Sequence, residues 1–254
     1  MSSNPKVQNW ADASKTYLNF HNSPPDKLRR ELVDPILVRL IDPAGKYILD
    51  LGCGEGYFAR LLKSKNAGMI TGVDVAQGLV QEARRKDPQG DYRVYDVTRD
   101  ETFEDNKFDV VICNMVLMDI SDLNLAFRKI ASFLKIGGKF IASIQNPYYT
   151  FPVGVWKRDI RDLLKAKTQP ALKITNYFAP TTAEKKLAGD DELVKHFHWK
   201  LSEYINLAAR NKLRLISMEE PKIPADLAIK YKETFLSTQL QQVPLFQVME
   251  FVKF

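Results

Sequence analysis

Five polar side chains pose the chemical question in this chain: Asp50, Asp74, Asp96, Asn114 and Gln145. Each stands at or near the end of a short apolar run: Tyr47–Leu51, Met69–Val75, Asp91–Val97, Phe108–Asn114 and Lys139–Gln145. Three glycines, Gly52, Gly54 and Gly56, follow the first run within five residues. Glycine reaches backbone angles closed to other residues and lets a ligand touch the main chain. Asp74 lies 22 residues after Gly52. A carboxylate accepts from both hydroxyls of a ribose, and an acid about 20 residues past such a turn does so in dinucleotide folds. The pattern is a nucleotide-binding start.

Those groups need elements to carry them. The apolar runs read as buried strands. Phe58, Ala59, Leu61 and Leu62 recur at helical spacing after the glycine turn, and Gln77–Arg85 forms the next helix. The helix start after the turn supplies free N–H groups and a positive dipole end. Ser121 is expected to cap a helix through Leu134 that Gly137-Gly138 stops. Strand and helix alternate five times, which argues a doubly wound parallel sheet. Ligands in such sheets lie beyond the carboxyl ends of the strands. Five polar termini at one edge therefore predict a site.

The flanks are read from weaker signals. Trp10, Ala13, Tyr17, Leu18 and Phe20 predict one helix, ended by the Asn22–Asp26 turn. Leu28, Leu32, Ile36, Leu37, Leu40 and Ile41 predict a second, with Pro35 as its start or kink. Residues 1–44 form a helical cap in this reading, 45–145 the binding core, 146–200 an insert or lid, and 201–254 the rest of the sheet. The insert is aromatic and irregular, as lids and binding loops are. Leu201–Asn211 reads as a helix capped by Ser202, Leu213–Met218 as a sixth strand and Leu245–Lys253 as a seventh, hairpin-paired strand.

Totals exclude several classes. The chain has 254 residues, 45% apolar and 27% charged, the composition of an ordinary folded domain. A net charge of +6 mildly favours acidic partners, RNA included, but its lysines are scattered over solvated faces. Cys53 and Cys113 show no zinc spacing, and no carboxylate cluster suggests a divalent ion, so no metal is expected. Two cysteines and an N-terminus without an apolar signal core point to a reducing, cytoplasmic setting. No apolar run approaches the ~20 residues of a membrane span.

The run Ile48-Leu-Asp-Leu-Gly-Cys-Gly-Glu-Gly56 resembles the first motif of the class I S-adenosylmethionine-dependent methyltransferases. Gly72-Val-Asp74 resembles their second, and Asp96 falls at the third. Phe108–Asn114 and Leu134-Lys-Ile-Gly-Gly-Lys-Phe-Ile141 resemble the later ones. The likeness spans about residues 45–145. It departs from the hydride-transfer fingerprint, which would place a third glycine where Phe58 and Ala59 follow Gly56. The resemblance implies a seven-stranded, mostly parallel sheet with the last strand antiparallel. It implies that Gly52, Cys53 and Gly54 back the methionine part of S-adenosylmethionine, that Asp74 holds the ribose and that Val75 flanks the adenine. Asp96 would accept from the adenine amino group beside Val97, and Asn114 and Met115 would lie under the methionyl moiety. Tyr17 and Arg30 match positions that close over the cofactor, with Arg30 reaching its carboxylate.

A sulfonium is an activated methyl donor, so a base is needed only when the acceptor carries a proton at neutral pH. His198, in Lys195-His-Phe-His-Trp-Lys200, resembles a histidine bordering the acceptor site in small-molecule members. It is the candidate base; orienting a loop is its competing role. His196 reads as a surface group and His21 as a turn residue. The acceptor pocket is expected to draw on Gln145, Asn146, Tyr148, Tyr149 and Trp156, an aromatic lining suited to a small molecule. The reading is thus a methyltransferase acting on O or N of a small-molecule acceptor. The alternatives are an RNA methyltransferase and an idle cofactor-binding subunit of a partner enzyme.

Overall fold

A computed structural model of the protein describes residues 7–21, 23–99, 103–148, 154–157, 171–179, 181–186, 193–231 and 243–254. Strand β1 (Val7–Gln8) leads into a 3-10 turn (Trp10–Asp12) and helices α1 (Ser14–Phe20) and α2 (Pro24–Ile41). The alternating core follows: β2 (Tyr47–Leu51), α3 (Tyr57–Lys63), β3 (Met69–Asp74), α4 (Gln77–Lys86), β4 (Asp91–Val94) and β5 (Phe108–Asn114). A 3-10 turn (Leu117–Asp119), α5 (Leu123–Phe133) and β6 (Leu134–Gln145) complete it. Then come β7 (Gly154–Lys157), β8 (Ala171–Ile174), β9 (Thr181–Lys186) and β10 (Leu193–His198). The chain ends with α6 (Leu201–Arg210), β11 (Leu213–Glu219), α7 (Ala225–Lys230) and β12 (Phe246–Lys253).

The main sheet has seven strands in the order β11-β12-β6-β5-β2-β3-β4. β12 runs antiparallel to both its neighbours; the pairs β2–β3, β2–β5, β3–β4 and β5–β6 are parallel. The central strands β2 and β5 are mostly apolar, with Asp50, Asp109 and Asn114 as the exceptions, because helices cover both faces. Successive residues still divide between two cores. Ile48, Val110 and Ile112 pack with Leu37 and Phe58 on one face. Leu49, Val111 and Cys113 pack with Phe127, Phe140 and Tyr204 on the other. Each large apolar side chain so buried contributes roughly 1.5–3 kcal/mol. The chain lays β3 and β4 to one side of β2, then crosses to β5 and β6 on the other. Strand ends part at that switch point and leave a crevice.

Several local expectations change. The N-terminal helix is broken at Ala13 into a 3-10 turn and α1. Asp122, not Ser121, caps α5, accepting from the Leu125 N–H at 2.9 Å. That helix ends at Phe133, and Gly137-Gly138 lies inside β6 rather than at a helix stop. The residue before α6 is Lys200, whose backbone N–H donates to Glu203 at 2.8 Å; Ser202 lies inside the helix. β4 stops at Val94, so Asp96 sits in the loop beyond it.

The insert holds more strand than its composition suggests. β7 and β8 pair antiparallel, as do β9 and β10, and β1 joins β10 in parallel through Val7↔Leu193 and Gln8↔Val194. On β10 the inward positions are Val194, His196 and His198. Two of these three are polar, so the alternation that marks a half-buried strand is disguised.

Candidate active site

The strand ends and the N-terminal elements enclose a cavity of about 1040 Å³. The glycine turn forms its base. The N–H groups of Gly52 and Cys53 both donate to the Val73 carbonyl, folding the turn onto β3. Gly52 has φ +78°, and a Cβ there would sit 2.4 Å from a Val116 methyl carbon. Gly54 has φ +55° and lies directly under the Tyr17 ring, which a Cβ would meet at 3.1 Å. Both positions demand glycine for conformation and for space.

Asp74 is fixed by the same turn. One carboxylate oxygen accepts from the Gly54 N–H at 2.8 Å and the other from the Ala76 N–H at 2.9 Å. Each oxygen keeps a second lone pair, so the group can still receive two hydroxyls. Burial pushes the Asp74 carboxyl up, the two N–H groups pull it back, and the Asp119 charge adds to the rise. Asp50 is 1% exposed, and its Oδ2 has no hydrogen-bond partner among the described residues. Burial, with the charges of Asp74 and Asp34 nearby, raises its carboxyl to about 7. An orphaned buried carboxyl on a cavity wall is a place for a cation or a donor. Asp96 holds the Thr98 N–H at 2.9 Å and its hydroxyl at 2.7 Å.

Of the expected cofactor residues, Tyr17, Gly52, Cys53, Gly54, Asp74, Val75, Asp96, Val97, Asn114 and Met115 all line this cavity, as does Gln145. Burial pushes the Cys53 thiol well above its ordinary range, which keeps it inert. Met115 is held at φ +63°, an uncommon angle for a side chain of its size, and its N–H donates to the Ser143 carbonyl.

Arg30 lies off the wall, donating to the His21 carbonyl at 2.9 Å and pairing with Asp26 at 3.1 Å. The arginine on the wall is Arg29. It is buried and reaches Asp26 (3.1 Å), Asp34 (3.5 Å), Asn114 (3.3 Å) and the Tyr57 hydroxyl (2.8 Å). Asn114 Nδ2 donates to that hydroxyl at 3.0 Å, and the Ser143 hydroxyl donates to Asn114 Oδ1 at 2.8 Å. Asn114 is thereby set in place by three neighbours. The sequence reading passed over Arg29, Asp34 and Tyr57. Their signal was a charged inner face on α2, where Asp26, Arg29 and Asp34 are buried alongside Leu28, Leu32 and Leu37.

His21 stands in the turn that ends α1, as expected, but it is buried. It is 5% exposed, with Nε2 2.9 Å from Glu55 and Nδ1 3.4 Å from Asp26, stacked on Tyr17. Burial opposes ionisation of Glu55, but hydrogen bonds from His21, Lys86 and Arg60 prevail and hold it at about 2.

The acceptor side departs most from expectation. His198 is buried with Nε2 2.9 Å from the Tyr177 carbonyl and stands off the cavity wall. His196, expected at the surface, is 5% exposed and forms part of that wall. Its Nδ1 is 3.0 Å from Asp119 Oδ1. Asn146 is buried and off the wall, accepting from the Tyr148 N–H. Tyr148 stacks on Tyr177 at 4.9 Å, also off the wall. Tyr149 lies outside the described residues; Trp156 is placed by its backbone in β7, and its side chain lies outside them. Among the described residues no group of three or more His, Cys, Asp or Glu could hold a metal ion, and no helix is long and apolar enough to cross a membrane.

Residues 49–142 match the family model described as a methyltransferase domain. A ubiquinone biosynthesis O-methyltransferase of Xanthomonas axonopodis is 33% identical over 141 residues, 54% of this chain and 56% of that protein. A mouse mitochondrial protein named arginine-hydroxylase NDUFAF5 is 30% identical over 144 residues, 55% of this chain and 39% of that one. The chain thus spans about half or less of the length of these relatives. A solved S-adenosylmethionine-dependent methyltransferase of Mesorhizobium loti superposes with a TM-score of 0.74 at 19% identity, covering 92% of this chain and all of the other. Another, from Listeria monocytogenes, gives 0.69 at 23% identity, over 87% and 97%. Residues 49–142 are thus a methyltransferase domain, set on the glycine turn and switch-point crevice of the Rossmann-like fold that solved class I S-adenosylmethionine-dependent methyltransferases share.

Proposed function

We propose that the protein transfers the methyl group of S-adenosylmethionine to an oxygen or nitrogen of a small-molecule acceptor. The observation that carries this reading is Asp74: a carboxylate locked by Gly54 and Ala76 at the strand ends, with two lone pairs left for ribose hydroxyls. The residues present fit the cofactor. Asp96 stands beyond the next strand for the adenine amino group, with Val75 and Val97 on the ring faces. Gly52, Cys53 and Gly54 offer main chain to the methionyl part, with Asn114 and Met115 beside it. Asp50, with its unpartnered oxygen, suits the ammonium.

The bound cofactor supplies a methyl group already activated by its sulfonium. The chain's part is to aim the acceptor and exclude water, and orientation of this kind lowers a barrier by as much as about 7–11 kcal/mol. Tyr17, with His21 stacked on it and Trp10 edge-on to it, forms the roof above Gly54. Trp10, Phe20, Phe197 and Phe246 give the remaining wall an aromatic character suited to a small apolar acceptor. The O-methyltransferase named for the Xanthomonas relative supports a small-molecule acceptor.

The test is calorimetry with S-adenosylhomocysteine, followed by incubation of metabolite extracts with methyl-labelled S-adenosylmethionine. Binding, and label in a small molecule with matching release of S-adenosylhomocysteine, is expected. Hydroxylation, the activity named for the mouse relative, would leave no such stoichiometry. No binding would overturn the reading.

A further inference from the structure

We infer that His196 and Asp119 form a proton-accepting dyad on the cavity wall and that the acceptor is a weakly acidic hydroxyl on an apolar ring, a phenol; this rests on the methyltransferase reading. Asp119 Oδ1 lies 3.0 Å from His196 Nδ1. An ionised carboxylate only accepts, so the hydrogen bond places a proton on Nδ1, and the uncharged form of the ring carries its lone pair on Nε2. That atom is shielded from water and has no hydrogen-bond partner among the described residues. A buried polar atom without a partner costs about 1–3 kcal/mol; a small turn of the His196 ring towards the cavity would bring Nε2 to an acceptor hydroxyl, which supplies the missing donor.

The dyad is placed for this work. Asp119 ends the 3-10 turn that begins three residues after Asn114, at the switch point of the sheet. Asp119 lines the same cavity as Asp74. His196 sits in mid-strand on β10, opposite Ala183 of β9. The indole N–H of Trp199 donates to the Ile120 carbonyl at 3.1 Å and ties the end of β10 to the turn that carries Asp119. The adjoining wall of Trp10, Phe20, Ile120, Phe197 and Phe246 is apolar and aromatic.

The step balances without another reactant. The acceptor oxygen bonds to the methyl carbon while the carbon–sulfur bond breaks, leaving its electron pair on sulfur as the thioether. The hydroxyl proton passes to His196 Nε2, and Asp119 stabilises the imidazolium. His196 is the catalytic residue and Asp119 a positioning residue.

The test uses the full chain, labelled S-adenosylmethionine and a series of ring-substituted phenols of graded acidity. With phenols protonated at about pH 8, His196→Ala is expected to lose about 100- to 10,000-fold in kcat/KM; with 4-nitrophenol, already ionised there, the loss shrinks to a few-fold. Nitrogen-15 shifts should show a proton on His196 Nδ1 in the wild type and a mixed tautomer in Asp119→Asn. Equal losses across the series overturn the base. The acidity-dependent loss appearing in His198→Ala instead overturns the assignment to His196. S-adenosylhomocysteine binding with transfer to amines but no phenol overturns the hydroxyl. A wild-type His196 protonated on Nε2 overturns the dyad by itself, whether or not the chain transfers methyl groups; no S-adenosylhomocysteine binding overturns the methyltransferase reading.

Discussion

On the strand-end side of the cavity, Asp74 meets Gly54 across 20 residues of sequence, and both belong to one strand–turn–helix–strand unit. On the opposite side, His196 meets Asp119 across 77 residues, and Val7 of β1 meets Leu193 of β10 across most of the chain. The first wall is made by local geometry, with side chains pinned by backbone N–H groups of adjacent loops. The second is assembled only when the insert and the N-terminus come together. In the proposed reading the first wall grips the nucleoside of the cofactor and the second selects the acceptor.

The strongest way to break this contrast is to disturb the buried charges behind the rigid wall. Arg29→Met leaves Asp26 and Asp34 without their shared cation and should cost about 3–5 kcal/mol in urea unfolding. A loss below 1 kcal/mol would mean that the network is not what sets Asn114. The pH dependence should come next. Asp50 is raised to about 7 when folded, so the native state holds a proton that the unfolded chain has released. Stability from this group is full below about pH 4 and declines by a few kcal/mol as pH rises towards 7; Asp50→Asn should flatten that slope. Glu55 has the opposite sign: held at about 2, it contributes above its ordinary range and is lost as pH falls towards 2. Acid titration of Glu55→Gln by circular dichroism should show the low-pH arm reduced.

Ligand affinity sharpens the comparison further. Asp74→Ala should weaken S-adenosylhomocysteine at least tenfold, about 1.4 kcal/mol, measured by calorimetry. Trp199→Phe, on the assembled wall, should cost only about 1 kcal/mol of stability and leave that affinity unchanged. Matched affinity losses in the two variants would show that the walls do not act separately.

The same division explains what could be read from the sequence. The parallel core, the glycine turn and Asp74 at its strand end were readable because each depends on spacing within a short stretch. Arg29 was missed in favour of Arg30 because neighbouring helix positions point about 100° apart, and the inner face of α2 mixes Asp26, Arg29 and Asp34 with leucines. His196 was missed because burial of a histidine on β10 depends on Asp119, which nothing within its own segment announces. The strands of the insert were hidden for the same reason, since an inward face of Val194, His196 and His198 does not read as apolar.

The parallel pairing of Val7 and Gln8 with Leu193 and Val194 has a practical corollary. It joins a strand near the start of the sequence to the strand that carries His196. Trimming the first eight residues would remove that pairing, and on the proposed reading selectivity for the acceptor would drift before affinity for the methyl donor did.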